Sequence, residues 1–260
     1  IAIERIIERA LESDFFTESD IFFKNERWHC FELHSSVCAT TKIDFLSLIN
    51  NKLKELREYL ITASHVVLTF GTSWVYRFLK TKKIVANCFK IPQKEFQKEL
   101  LSIEEIKTSY NNIVTQILSR NPDTQIITTI SPVRHVKEGI IENNRSKAHL
   151  ITALQQLVFE EKKVCYFPSY ELMIDQLRDY RFYKEDMIHP NGTAIKIIWE
   201  FFKKTWISKE TESIQKSIRT IRSGLDHQPF DPTSKQHQLF LQDLKTKMNQ
   251  VEKEFSHIKF

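Results

Sequence analysis

Three short apolar runs constrain this chain more than anything else in it: VVLTF at 66–70, QIITTI at 125–130 and KVCYFP at 163–168. Each is rich in β-branched and aromatic residues and ends in turn-forming residues, the pattern of a strand covered on both faces. Amphipathic helical segments separate them. One at 44–62 turns Phe45, Leu48, Ile49, Leu53, Leu56 and Leu60 to one side, a second runs over 102–119, and a third presents Leu150, Ala153, Leu154 and Leu157. Strands alternating with helices predict an α/β fold, a central parallel sheet covered on both faces.

Ligands of such sheets bind beyond the carboxyl ends of the strands, and polar residues gather there. Thr69, Gly71, Thr72 and Ser73 follow the first run, where hydroxyls and backbone N–H groups suit an oxyanion; a tight turn at Gly71 with capping hydroxyls is the structural alternative. Ser73 does not sit in a G-x-S-x-G elbow. Ser131-Pro132-Val133-Arg134-His135 follows the second run. Asn143, Asn144, Ser146 and Lys147 stand near the start of the next helix, and helix capping accounts for part of that cluster.

After the third run comes Asp186-Met187-Ile188-His189-Pro190. A carboxylate three residues before an imidazole, held in a turn, reaches the ring's Nδ1 and leaves Nε2 for a substrate. The alternative is a helix entry capped by Asp186 with His189 merely exposed. Its place after three strand-ending polar clusters favours the first reading.

The flanks are simpler. Residues 1–12 form an amphipathic helix, and 21–39 read as a small β-hairpin turning at Asn25-Glu26. Within it His29, Cys30, His34 and Cys38 are zinc-type ligands, but neighbours 29 and 30 of a strand point to opposite faces, so no metal is expected. His34 remains a candidate for lining a cleft. Beyond Trp206, helices at 209–223 and 233–256 are predicted, the last with a stripe of Leu239, Phe240, Leu244, Met248 and Val251 suited to the main body or a partner. The expected division is a domain over 1–207 and a helical extension over 208–260 that packs on it.

Composition closes off several classes. With 4 Gly and 7 Pro in 260 residues, glycine-rich phosphate loops and low-complexity linkers have no room. The 38 basic and 33 acidic residues are interspersed and leave a net charge of +5, so no nucleic-acid-binding block is predicted. Four cysteines without a C-x-x-C pair suggest reduced thiols and a cytoplasmic protein. No apolar run has the roughly 20 residues of a membrane span, and no cofactor motif is present.

Longer motifs carry a family resemblance. TFGTSWVYR at 69–77, NCFKIP at 87–92, SPVRH at 131–135 with ENNRSKA at 142–148, and YFPSYELMIDQLRDYRFYKEDMIHP at 166–190 resemble the GSCFA domain family, a bacterial branch of the SGNH/GDSL hydrolase-like superfamily. The resemblance implies a three-layer α/β/α sandwich with a central parallel sheet of the flavodoxin-like kind, and a Ser-His-Asp site with His189 as general base and Asp186 as its orienting carboxylate. It sets Gly71 at the glycine of a conserved block and Ser73 where that block has an oxyanion-hole asparagine. The Gly-Ser-Cys-Phe-Ala motif that would hold the nucleophile is not in this sequence, and the expectation is that a first strand carrying it, ahead of Ile1, was cut off, left out or lost, so that a central strand is missing as well as the nucleophile. The implied activity is hydrolysis of a small-molecule or carbohydrate ester, O-acetyl groups included, with His34, Asn87, Arg134, His135, Asn143 and Lys147 lining the cleft. The rival expectation is a non-catalytic binding or scaffolding protein that keeps the pocket and engages a protein partner, or itself, through the C-terminal helices.

Overall fold

The computed structural model describes residues 1–260 apart from the side chain of Glu138. Helix α1 (Ala2–Glu12) stops where Ser13 turns left-handed at φ 56°. Strands β1 (Ile21–Lys24) and β2 (Arg27–Cys30) then pair antiparallel around Asn25 and Glu26, both at positive φ (49° and 59°). Two left-handed residues in a two-residue loop make the type I′ turn whose twist matches a hairpin. Arg9 ties α1 to this region: its guanidinium meets Glu32 (2.8 Å), Asp14 (2.9 Å) and Asp20 (3.2 Å) and lies over the ring of Phe16.

Helix α2 (Lys42–Thr62) opens on Thr41, whose Oγ1 accepts the Asp44 N–H. Strand β3 (His65–Phe70) follows. Next comes a small antiparallel sheet that the sequence reading did not anticipate, with β4 (Trp74–Phe78) between β5 (Ile84–Val85) and β6 (Phe96–Leu100). Helix α3 (Ile103–Arg120) starts in a capping box: Ser102 Oγ accepts the Glu105 N–H and the Glu105 carboxylate accepts the Ser102 N–H. Strand β7 (Gln125–Ile130), helix α4 (Ile140–Glu160) and strand β8 (Val164–Tyr166) complete the repeat. A short α5 (Ser169–Glu171) runs into one π turn over Leu172–Gln176.

The central sheet is parallel, in the order β3-β7-β8, and helices flank it, the three-layer α/β/α arrangement expected. One strand departs from expectation. Strand β7 is buried from Ile126 to Ile130, whereas β3 has Val67 at 52% exposure, with His65 and Thr69 exposed beside it. Composition alone made β3 look covered on both faces; among the described residues it is an edge strand with one open face. The core collects Phe45, Ile49, Ile113, Ile117, Ile126, Ile130, Leu150 and Leu154 from the helices and the sheet between them.

The chain divides into two compact units, 1–195 and 196–260. Helix α6 (Gly192–Trp206) runs from one into the other. In the second unit α7 (Glu212–Leu225) and α8 (Lys235–Glu254) pair around Ile221, Leu244 and Val251. They pack tightly at Gly224, where an added Cβ would stand 2.7 Å from Leu244 Cδ1. Among the described residues no helix is long and apolar enough to cross a membrane.

Candidate functional site

The loop between α5 and α6 is a closed structure. Tyr183 and Pro190 form an antiparallel bridge, and Lys184 N–H donates to the His189 carbonyl at 2.8 Å. Asn191 locks the base: its Nδ2 donates to the Arg181 carbonyl (2.7 Å), and its Oδ1 accepts the N–H groups of Thr193 and Ala194, capping α6. Within the loop, Asp186 Oδ1 accepts the N–H groups of Ile188 and His189, both at 2.9 Å, while Met187 takes a positive φ of 57°. That turn leaves Asp186 Oδ2 2.7 Å from His189 Nδ1.

Asp186 therefore caps its own turn and the imidazole, and the cap of α6 is Asn191. The hydrogen bonds from the His189 and Ile188 backbone, then from the His189 ring, pull the Asp186 carboxyl down to about 2. Both side chains are about half exposed. The arrangement fixes the tautomer with its proton on Nδ1 and presents Nε2 as a base to anything approaching from outside.

Arg134 joins this loop to the end of β7. Its guanidinium lies 5.0 Å from the Tyr183 ring centroid, donates to Tyr183 Oη at 3.2 Å, and reaches the Met187 carbonyl at 3.4 Å. The next residue, His135, donates its backbone N–H to Asn143 Oδ1 at 2.9 Å, and a Cβ placed on Gly71 would be 3.7 Å from its Nε2. Arg134, His135, Asn143 and Gly71 thus come together at the carboxyl ends of β3 and β7.

Lys147 lies beneath them, 1% exposed, with Nζ 2.6 Å from both the Gly71 and Ser131 carbonyls. Among the described residues no carboxylate pairs with it. Burial pushes its ammonium down to about 8. Ser73 is fully buried; its N–H donates to Ser146 Oγ and its hydroxyl to the Ser146 carbonyl. Thr72 Oγ1 shares the same Ser146 hydroxyl at 3.0 Å and accepts the Trp74 N–H. A cavity of about 360 Å³ opens here, lined by Phe70, Gly71, Thr72, Trp74, Tyr110 and His135 among others. It is mostly apolar, and among the described residues the Tyr110 hydroxyl in its wall has no hydrogen-bond partner.

The remaining sequence candidates lie in turns. His34 is exposed, its Nδ1 2.8 Å from Ser36 Oγ, and Asn87 Oδ1 accepts the Phe89 N–H at 2.7 Å. Neither belongs to the wall of the cavity. His29 packs among the rings of Phe22 and Phe89, and among the described residues no three metal-ligating side chains cluster.

A model of the GSCFA family matches residues 1–202, and one for the C-terminal domain of GSCFA domain proteins matches 218–260. The chain belongs to the GSCFA family. A search of curated proteins found no match. In this GSCFA chain the sequence reading passed over two residues that build the site. Ser146, named only within a polar cluster, is the hub for Thr72 and Ser73. Asn191 was hidden by Pro190, which reads as the helix opener, although an Asn before Gly-Thr is itself a capping signal.

Proposed function

We propose that this GSCFA protein is an ester hydrolase of the SGNH/GDSL type, working through a serine, His189 and Asp186. The observation that carries the reading is the 2.7 Å contact between Asp186 Oδ2 and His189 Nδ1, with Nε2 making no hydrogen bond among the described residues. In this reading the serine comes from polypeptide ahead of Ile1, where the family's Gly-Ser-Cys-Phe-Ala motif would lie. His189 Nε2 takes the serine proton as Oγ bonds to the ester carbonyl carbon, and returns it to the departing alcohol. Water, deprotonated by the same nitrogen, then releases the acid and regenerates the serine. Asp186 holds the ring in the tautomer this requires and stabilises the imidazolium. The substrate is a small-molecule ester, with O-acetylated carbohydrate as one class.

The test is turnover of p-nitrophenyl acetate and acetylated sugars by protein carrying that motif. We expect His189→Ala to lower kcat/KM by about 10²-fold or more, and Asp186→Asn to lower it as well by favouring the wrong tautomer. Equal turnover by the parent and His189→Ala would remove the proposal. A non-catalytic binding module is the second reading. It is supported by the hydroxyls of Thr72 and Ser73, which are engaged by Ser146. It predicts no labelling by a fluorophosphonate probe, and stoichiometric labelling at a serine would exclude it.

A further inference from the structure

The stretch from Leu79 to Lys98 carries six lysines and one acid, Glu95, a net charge of +5 that equals that of the whole chain. In sequence these lysines are spread among apolar and polar residues, so no basic block declares itself. The fold gathers them. The ring of Phe31 packs on Phe78 (centroids 4.8 Å apart), Phe89 (6.0 Å) and Phe96 (6.3 Å), and each of those three rings has lysines beside it in the chain. Lys80, Lys82 and Lys83 follow Phe78, Lys90 follows Phe89, and Lys94 precedes Phe96. Backbone bonds tighten the cluster. Leu79 N–H donates to the Glu95 carbonyl at 2.9 Å, which brings the neighbourhoods of Lys80 and Lys94 together, and Phe78 N–H donates to the Lys83 carbonyl at 2.9 Å to close the turn between them.

All five of these lysines are exposed, and among the described residues no carboxylate pairs with any of them. Glu99, the next acid along β6, is held by Arg77 through two bonds of 2.9 Å, and the same guanidinium donates to the Lys82 carbonyl. Unneutralised like charges on one surface sum into a positive potential, and a polyanion that exchanges its condensed counterions for lysines gains by their release. The surroundings narrow the kind of polyanion. Nucleic acids are met by guanidinium forks and by aromatic faces on which bases stack; here Arg77 is already engaged, and the phenylalanine rings pack on one another. A stable hold on an anionic bilayer adds an apolar anchor to the charges, yet among the described residues Leu79, at 38% exposure, is the one exposed large apolar side chain between 74 and 100. What such a surface suits is a hydrophilic polymer with single charges at intervals, met by lysines as point charges.

We infer that the end of the β4-β5-β6 sheet where Phe78 pairs with Phe96 is a docking surface for an acidic polysaccharide, held by Lys80, Lys82, Lys83, Lys90 and Lys94. Strand β4 joins this surface to the cavity: Phe78 opens into the lysine turn, while Trp74, Val75 and Tyr76 line the cavity wall. Lys98 lies between, opposite Tyr76 in the ladder, with Nζ 4.5 Å from the Trp74 ring centroid. A polymer held on the lysines therefore lies beside the strand that walls the cavity. Such binding needs neither His189 nor a serine, so it is measured without turnover and stands or falls apart from the hydrolase reading.

Polygalacturonate is the probe, titrated calorimetrically into the full chain. We expect saturable binding that weakens steeply between roughly 50 and 200 mM salt. Lys80→Gln, Lys82→Gln and Lys83→Gln together should weaken it by about tenfold or more. The control is Lys235→Gln, Lys245→Gln and Lys253→Gln, which removes the same charge from α8 and should leave binding unchanged. All six side chains are exposed, and the bonds that close the 78–83 turn belong to the backbone, so both variants should keep the fold. Equal losses in the two variants would mean that net charge alone is at work and would overturn the inference. So would no binding at the lower salt, or tighter binding to a poly(dT) oligonucleotide or to phosphatidylserine vesicles than to polygalacturonate.

Discussion

Lys147 ties together residues that the sequence keeps far apart, and its burial makes the chain's stability sensitive to alkaline pH. Its ammonium loses its proton at about 8 in the folded chain, against roughly 10.4 when exposed. Between those values the unfolded chain binds more protons than the folded one, so unfolding free energy rises with pH. The penalty of the buried charge is complete below about pH 8 and is relieved as pH climbs toward the unfolded value. Urea midpoints at pH 7.5 and 9.5 should show that rise in the parent and a smaller one in Lys147→Met. Asp186 behaves the opposite way: its depressed carboxyl stabilises the fold above an unfolded value of roughly 3.9, and the contribution is lost as pH falls toward about 2. Through the range of any ester assay it stays ionised, so a ¹³C titration of its carboxyl should be flat above pH 4. The Asp186 and His189 spacing was legible because all three of its hydrogen bonds are local. The task of Lys147 was not, because its acceptors are backbone carbonyls 76 and 16 residues away, and a sequence names side chains only.

Elements were readable in proportion to how much of their signal is local. Helix α2 was legible through its apolar stripe and α3 as a long helical run, while the caps Thr41 and Ser102 are seen in the structure. The hairpin of β1 and β2 was marked by Asn25, a residue that tolerates the left-handed region. Glu26 fits that turn less well, since a side-chain-bearing residue at φ 59° carries a steric cost that glycine avoids. Glu26→Gly should therefore stabilise the chain by about 0.5–1 kcal/mol, seen as a higher urea midpoint with an unchanged slope. A lower midpoint would mean that Glu26 makes compensating contacts. The sheet of β4, β5 and β6 escaped notice because its strands show no alternation: β4 is half-buried along its whole length, β6 is buried only at its first residue, and β5 has two residues. Strand β3 was misjudged for another reason: a Val-Val-Leu run reports that a strand is apolar, and only the strand order reports how many neighbours it has.

The molecule as a whole is one α/β unit and one helical pair, and the family match extends over both. Its sheet is closed on one side only in part. Strand β3 pairs with β7 along one edge, and among the described residues no strand pairs with the other. There the N–H groups of His65, Val67 and Thr69 face outward, beside an exposed Val67. Such an edge is a template: it recruits extended polypeptide from solution with no preference for side chains beyond alternate apolar contacts, and it does so faster as concentration rises. Polypeptide limited to residues 1–260 should consequently form soluble oligomers on concentration, with light scattering growing from micromolar upward. Val67→Lys, which places a charge on that edge, should hold it monomeric without changing its helix content.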